Sequence, residues 1–346
     1  MESSRISGRP MITVFHRSPA RTIAVLAVLL AVPFGALAKP RRHASSRQQL
    51  SAAPQGPNVS HNTQHQYKLT TNVNEVDLVF TVTNNKGQFV KNLKESDFAL
   101  LDNHRAPAEV YSFTQQTQLP LRLGILVDTS NSIRERFQFE QQAVNSFLLQ
   151  IMRPSTDKAF VEGFDVTPNF IQGWTNDLSK LDNSVQQLSP GGGTALYDAV
   201  YSACRYKLLK AASGPFYVRR AIVLVSDGED DQSHAYLSDA IRECQRAQTA
   251  IYAISTDDDP TPDEHGDGVL KKMAEETGGQ AFFPRSLHNL PISFSSVEDE
   301  LRSQYALVYK PADFRANGEF RSIYLYCLDR RYKVHAMKGY FTPKAE

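Results

Sequence analysis

The stretch LRLGILVDTSNS, from Leu121 to Ser132, decides how the rest of the chain is read. Leu121 to Val127 is a short run of mostly apolar residues, the pattern of a parallel strand covered on both faces. It ends in Asp128-Thr129-Ser130-Asn131-Ser132, a D-x-S-x-S run at the carboxyl end of a strand. Strand ends of this kind open into the crevice where doubly wound sheets bind ligands. The alternate residues Asp128, Ser130 and Ser132 can turn one carboxylate and two hydroxyls toward one point. Such hard oxygen donors suit magnesium, manganese or calcium rather than zinc or copper. Taken alone, the same run also serves as a helix N-cap, its Ser and Asp oxygens satisfying free N–H groups.

Downstream the grammar is strand, helix, strand, helix. Ile133, Phe137, Glu140, Val144, Phe147 and Ile151 fall at steps of three and four and give one mostly apolar helix face. Lys158–Phe164 and Asn169–Trp174 read as strands joined by the short turn Asp165–Pro168, which makes the second an antiparallel edge. Helices are predicted at Leu178–Leu188, Ala195–Ala211, Tyr236–Ala247 and Val269–Glu276, with one more from Leu290 to Ser303. Strands are predicted at Ala221–Val225, Ala250–Ile254 and Gln280–Phe283. This alternation implies an α/β fold, a doubly wound and mostly parallel sheet flanked by helices.

The ends of the chain read differently. Glu75–Thr83 (EVDLVFTVT) is strand-like, Asn84–Gly87 is a turn, and Gln88–Val90 starts a return. Asp97–Leu101 and Glu109–Phe113 look like further strands, as do Tyr305–Tyr309, Phe320–Leu328 and Tyr332–His335. The expected division is an N-terminal β region over 67–117, the α/β domain over 118–303 and a C-terminal β segment over 304–346. The two β pieces are expected to lie together as a smaller β region.

Two further loops are rich in oxygen. Ser189-Pro190-Gly191-Gly192-Gly193-Thr194 runs into a helix, and its glycines permit close backbone approach. Thr194 is delivered at the helix start. Asp198 lies one turn further on the same face and is assigned to support rather than to ligation. Ser226-Asp227-Gly228-Glu229-Asp230-Asp231 follows the strand Ala221–Val225 and places Asp227 at another strand end. Glu229 to Asp231 read on their own as a solvated acidic turn. Three oxygen-rich loops, each at a strand end or helix start, point together to one metal site.

D-x-S-x-S, then G-G-T, then S-D-G after an apolar strand resembles the metal-ion-dependent adhesion site of von Willebrand factor type A domains, over roughly residues 118–305. The resemblance implies that Ser130, Ser132 and Thr194 bind the metal directly, and that Asp128 and Asp227 bind it directly or through water. It implies magnesium, with manganese or calcium as alternatives. One metal position is left open for a carboxylate of a partner protein, a binding mechanism that needs no catalysis. The flanking segments, Glu75–Phe113 and Glu300–Phe341 (ELRSQYALVYKP … KGYF), resemble exported VWFA-related proteins common in acidobacteria. Two other readings stand beside this one. The domain could be a structural scaffold of an envelope complex without metal-gated binding. It could also be a metal-assisted phosphoester hydrolase, but that chemistry needs D-x-D, and Ser130 occupies the acid's position. Neither G-x-S-x-G nor H-E-x-x-H occurs, and no Lys follows the glycine loop as in a P-loop. His234 and His265 read as solvated histidines in polar loops near the crevice mouth.

The totals agree with a binding protein outside the cytoplasm. The 346 residues suit one α/β domain of about 150–200 residues plus smaller parts. A net charge of +1, from 38 basic and 37 acidic residues, argues against nucleic acid as a partner. Arg5, Arg9, Arg17 and Arg21 precede the apolar run Ile23–Val32, and Ala36-Leu37-Ala38 fits a cleavage site. The expectation is a signal peptide over 1–38, a mature start at Lys39, and a flexible linker over 39–66. An uncleaved anchor is the alternative. No later segment is long and apolar enough to span a membrane, so the mature chain is expected in the periplasm, the envelope or the medium. Cys204, Cys244 and Cys327 are too few for a disulfide scaffold and match no zinc spacing. Cys204 and Cys244 are expected to be small apolar residues on helix faces.

Overall fold

The computed structural model describes residues 74–116, 119–211, 218–257 and 259–344. The expected signal peptide and linker lie outside the described residues. The chain enters through β1 (Val76–Thr83), β2 (Phe98–Asp102) and β3 (Glu109–Gln116). The expected return strand at Gln88–Val90 reduces to a bridge between Thr83 and Phe89. Asn92 has φ 64°, a left-handed conformation that Asn tolerates, and it turns the chain away before a ladder can grow.

The α/β part runs through β4 (Leu121–Asp128), α1 (Phe137–Ile151), β5 (Lys158–Phe164), β6 (Pro168–Thr175), α2 (Leu178–Gln186) and α3 (Leu196–Ser202). A π-helical segment, Ala203–Leu208, carries α3 on into the short α4 (Leu209–Ala211). Then come β7 (Arg219–Ser226), α5 (Leu237–Arg246), β8 (Ala250–Ser255), α6 (His265–Thr277), β9 (Ala281–Phe282) and α7 (Leu290–Arg302). The tail adds β10 (Gln304–Lys310), β11 (Phe320–Cys327), β12 (Lys333–Ala336) and β13 (Gly339–Phe341).

The central sheet has the order β6-β5-β4-β7-β8-β9. β4 pairs in parallel with both β5 and β7, and β6 is an antiparallel edge on β5, as the short turn required. Because β4 is covered on both faces, nearly every residue in it is apolar. Leu123, Ile125 and Val127 join Val144 and Phe147 of α1 and Phe294 and Val297 of α7. Leu126 faces the other way, with Phe160, Leu224 and the helices α3, α5 and α6. Each such side chain contributes roughly 1.5–3 kcal/mol relative to exposure. Gly124 is small because Phe160 fills the space beside it: a Cβ there would meet the ring at 2.5 Å.

The two terminal β pieces come together. One sheet has the order β12-β1-β10-β3 and the other β13-β11-β2, and both contribute to one apolar core that includes Phe80, Tyr305, Tyr309 and Ile323. Inside it, the buried Asp102 accepts hydrogen bonds from Tyr309 (2.7 Å), Tyr340 (2.9 Å) and Arg321 Nε (2.7 Å). A buried carboxylate persists only when paired in this way. Among the described residues, no helix is long and apolar enough to cross a membrane.

Several local expectations change. α6 begins at His265 rather than Val269, so His265 opens a helix instead of lying in a loop. The polar run His265 to Gly268 hid this start, since apolar periodicity begins only at Val269. The helix expected over Ala195–Ala211 carries the π-helical segment in its middle. β13 was not anticipated. Cys204 and Cys244 are buried on helices as expected, but those helices face each other and the two form a disulfide, with a Cα–Cα distance of 5.0 Å. The crosslink spans 40 residues, a loop for which chain-entropy arguments give roughly 3–4 kcal/mol. Cys327 remains a free, buried thiol.

Glu162 on β5 is fully buried, and one of its oxygens lacks a hydrogen-bond partner; the other accepts from Ser202 Oγ at 3.0 Å. Burial pushes its pKa up to about 8, against the pull of Ser202 and Lys207. The folded value lies above the ordinary 4.5, so between the two the folded protein binds more protons than the unfolded chain. This contribution is therefore fully present below pH 4.5 and is lost as pH rises through about 8. Thermal melts should show a Tm at pH 9 roughly 5–10 °C below that at pH 6, and Glu162→Gln should remove a measurable part of that difference. An identical pH profile in wild type and variant would contradict this.

Candidate metal centre

The register Val127↔Val225 between β4 and β7 places Asp128 beside Ser226 at the carboxyl edge of the sheet. Ser226 Oγ donates to Asp128 Oδ2 at 2.7 Å, and the backbone N–H of Ser130 donates to Oδ1 at 2.8 Å. Ser130 Oγ and Ser132 Oγ lie 2.9 Å apart, and Ser132 Oγ donates to Asp227 Oδ2 at 2.7 Å. Asp128, Ser130, Ser132 and Asp227 thus form one hydrogen-bonded set drawn from two loops.

The glycine loop joins through its backbone. Asn131 N–H donates to Gly192 O at 3.2 Å, and Gly191 N–H donates to Thr129 O at 2.6 Å. Gly192 has φ 78°, which a side chain would oppose. Thr194, only 7% exposed, is gripped from both sides. Its N–H donates to Asp231 Oδ1 at 2.7 Å, and its carbonyl accepts from the N–H groups of Asp231 and Gln232, each at 3.0 Å. The S-D-G turn is held from below by α6. A Cβ on Gly228 would meet Gly266 O at 2.1 Å, and Gly266 N–H donates to Glu229 Oε1 at 3.1 Å.

Two carboxylates here share a buried neighbourhood. Burial first, and then the negative charge of Asp227, push Asp128 up to about 6 against the hydrogen bonds that favour its ionised form. Glu140, on the helix face read as mostly apolar, is fully buried, and neither carboxyl oxygen has a hydrogen-bond partner. Burial pushes it up to about 8; Arg136 pulls it down, while Asp128 and Asp227 push it further up. Asp128 is 0% and Ser130 2% exposed.

Asp198 does what support requires. Its carboxylate accepts the N–H groups of His234 (3.0 Å) and Ala235 (2.8 Å), and His234 Nδ1 lies 3.3 Å away. Burial raises its pKa, but these bonds outweigh burial and hold it below the ordinary value. Asp230 also takes part: Oδ1 accepts from Tyr197 N–H (3.1 Å) and Ser233 Oγ (2.6 Å). Asp230 and Asp231 are therefore fasteners of the α3 entry and not a free acidic turn. Nothing local in the sequence marks them as such. Ser226, also not anticipated, was visible only as the first residue of S-D-G.

The donor set fits a hard divalent cation. Among the described residues, no three or more His, Cys, Asp or Glu side chains are grouped to hold a metal. What converges is two carboxylates and serine hydroxyls, with Thr194 on the adjoining loop, all oxygen donors.

The family model described as von Willebrand factor type A domain matches residues 123–295. No curated protein matches the chain. Among solved structures, proximal thread matrix protein 1 from the mussel byssus, with a zinc-occupied MIDAS motif, is 15% identical with a TM-score of 0.47. That match covers 57% of this chain and 50% of the mussel chain, so this chain spans half of that relative's length. A von Willebrand factor type A protein from Catenulispora acidiphila is 12% identical, TM-score 0.47, over 82% of this chain and 75% of its own. The PilB minor pilin of Streptococcus sanguinis is 14% identical, TM-score 0.41, over 54% of this chain and 62% of its own.

Asp198→Ala should remove the acceptor of the His234 and Ala235 N–H groups, at a cost of about 0.5–1.5 kcal/mol. Denaturant unfolding should show that loss, while any gain in stability on adding divalent cation should persist. Loss of the cation effect would make Asp198 part of the site itself.

Proposed function

The chain belongs to the von Willebrand factor type A domain family, and we propose that it is an exported, non-catalytic protein that captures an acidic group of a partner protein through a divalent cation. The observation that carries this reading is the hydrogen-bonded set Asp128, Ser130, Ser132 and Asp227, with the Thr194 loop docked on it. In this reading Ser130, Ser132 and Thr194 hold magnesium, with manganese or calcium as alternatives, and Asp128 and Asp227 lie behind. When bound, the cation supplies a positive centre with one free position for a carboxylate. The three hydroxyl ligands are neutral, so they leave that positive character undiminished. Asp128 is kept oriented by Ser226 and by the Ser130 N–H, so it keeps its place whether or not a partner is present. Ser130 stands where a hydrolase would need a second acid, which favours binding over turnover.

The disulfide Cys204–Cys244 supports the export part of the proposal, since such bonds persist in oxidising compartments and are rare in the cytosol. The compartment is then the periplasm, the cell envelope or the medium.

Titration calorimetry with magnesium, manganese and calcium tests the metal. At about 100 times the dissociation constant, bound cation should stabilise the protein by about 2.7 kcal/mol, or roughly 5–10 °C in Tm. Asp128→Ala should abolish both that gain and the capture of partner from envelope extract, and a chelator should release partner from the wild type. Absence of binding at millimolar ion would contradict the proposal and leave the scaffold reading.

A further inference from the structure

We propose that Asp231 is the positioning residue of this metal centre: its carboxylate, on the backbone N–H of Thr194, sets Thr194 in place before any cation arrives. The proposal rests on the metal reading above. Its starting point is an asymmetry among the expected ligands. Asp128, Ser130, Ser132 and Asp227 are already joined to one another by hydrogen bonds. Thr194 comes from a separate loop whose three preceding residues are all glycine. Glycine carries the largest backbone entropy, so this is the ligand that would cost most to order on binding.

Asp231 removes that freedom. Its Oδ1 accepts Thr194 N–H at 2.7 Å, while its own N–H, together with that of Gln232, donates to Thr194 O. Both backbone groups of Thr194 are thus fixed by the loop that also carries Asp227. The distance between Thr194 and Asp227 is then set within one hydrogen-bonded unit. Gly193 is shaped for the same contact: a Cβ there would meet Asp231 Oδ1 at 2.9 Å and Gln232 Cγ at 2.8 Å. The neighbouring bonds, from Tyr197 to Asp230 and from Asp198 to Ser233 Oγ, extend the fastening along the start of α3. Asp231 acts on Thr194 through its backbone N–H and C=O.

What matters is therefore an acceptor oxygen at position 231, not its charge. Asp231→Asn keeps that oxygen, whereas Asp231→Ala removes it. Manganese and magnesium titrations of the purified wild type and both variants, well below Tm, give the dissociation constants. Amide hydrogen exchange at 193–195 without metal reads the loop directly. The Asn variant should bind within about threefold of wild type, and the Ala variant about 10–100-fold more weakly, with faster exchange at Thr194. If Asp231→Ala does not fold by circular dichroism, Gly193→Ala, which displaces the carboxylate and keeps its charge, should weaken binding in the same way. Equal weakening in the Asn and Ala variants would assign the effect to charge and overturn the proposal. So would an unchanged dissociation constant in a folded Ala variant with lower metal-free stability, which is the result a purely structural role gives. A wild type that binds neither ion overturns the metal reading and this proposal together, and is told apart by the wild-type arm alone.

Discussion

The parallel pairing of β4 with β7 puts two carboxylates at adjacent strand ends, Asp128 buried and Asp227 half-buried, and the rest of the site answers to that constraint. Asp128 is fully buried, and the charge of Asp227 adds to the burial that pushes its pKa up to about 6. Left alone, like charges in this setting would drive protonation or part the strands. Here the repulsion is met by donors: Ser226 and the Ser130 amide on Asp128, Ser132 on Asp227. Each donor is neutral, so the site as a whole keeps a deficit of positive charge at its centre. A divalent cation is the group that would relieve it.

Around that centre the protein divides its labour. The Asp230–Ala235 segment is joined to Thr194–Asp198 by reciprocal hydrogen bonds, which makes the second and third loops one unit. The first loop is tied to it through Thr129, Asn131, Gly191 and Gly192. The β appendage has its own core and its own buried anchor at Asp102, and it meets the α/β part through contacts such as Thr81 Oγ1 to Glu300 at 3.1 Å. Its polar network serves packing; the oxygen donors of the proposed metal centre come from the α/β part.

Much of this was legible in the sequence because it depends on short-range patterns. The apolar runs Leu121–Val127 and Ala221–Val225 announce buried parallel strands, and the Asp165–Pro168 turn announces the antiparallel edge. D-x-S-x-S, G-G-G-T and S-D-G show where oxygen donors can gather. What escaped depends on contacts between distant segments. Cys204 and Cys244 carry no sign in their spacing that two helices will face each other at 5.0 Å. Asp230 and Asp231 look like any acidic turn until the α3 entry is laid against them. Glu140 sits on its helix face as the periodicity says, but only the packed structure shows a carboxyl buried behind two others. The start of α6 was hidden because Gly266 and Asp267 are buried for reasons of backbone packing and hydrogen bonding, not hydrophobicity.

Anomalous diffraction from crystals of the protein grown or soaked with manganese tests the central claim most directly. The account predicts one strong peak roughly 2–2.6 Å from Ser130 Oγ, Ser132 Oγ and Thr194 Oγ1, with Asp128 and Asp227 close behind it. No peak there at millimolar manganese, or a peak held by other residues, would contradict it.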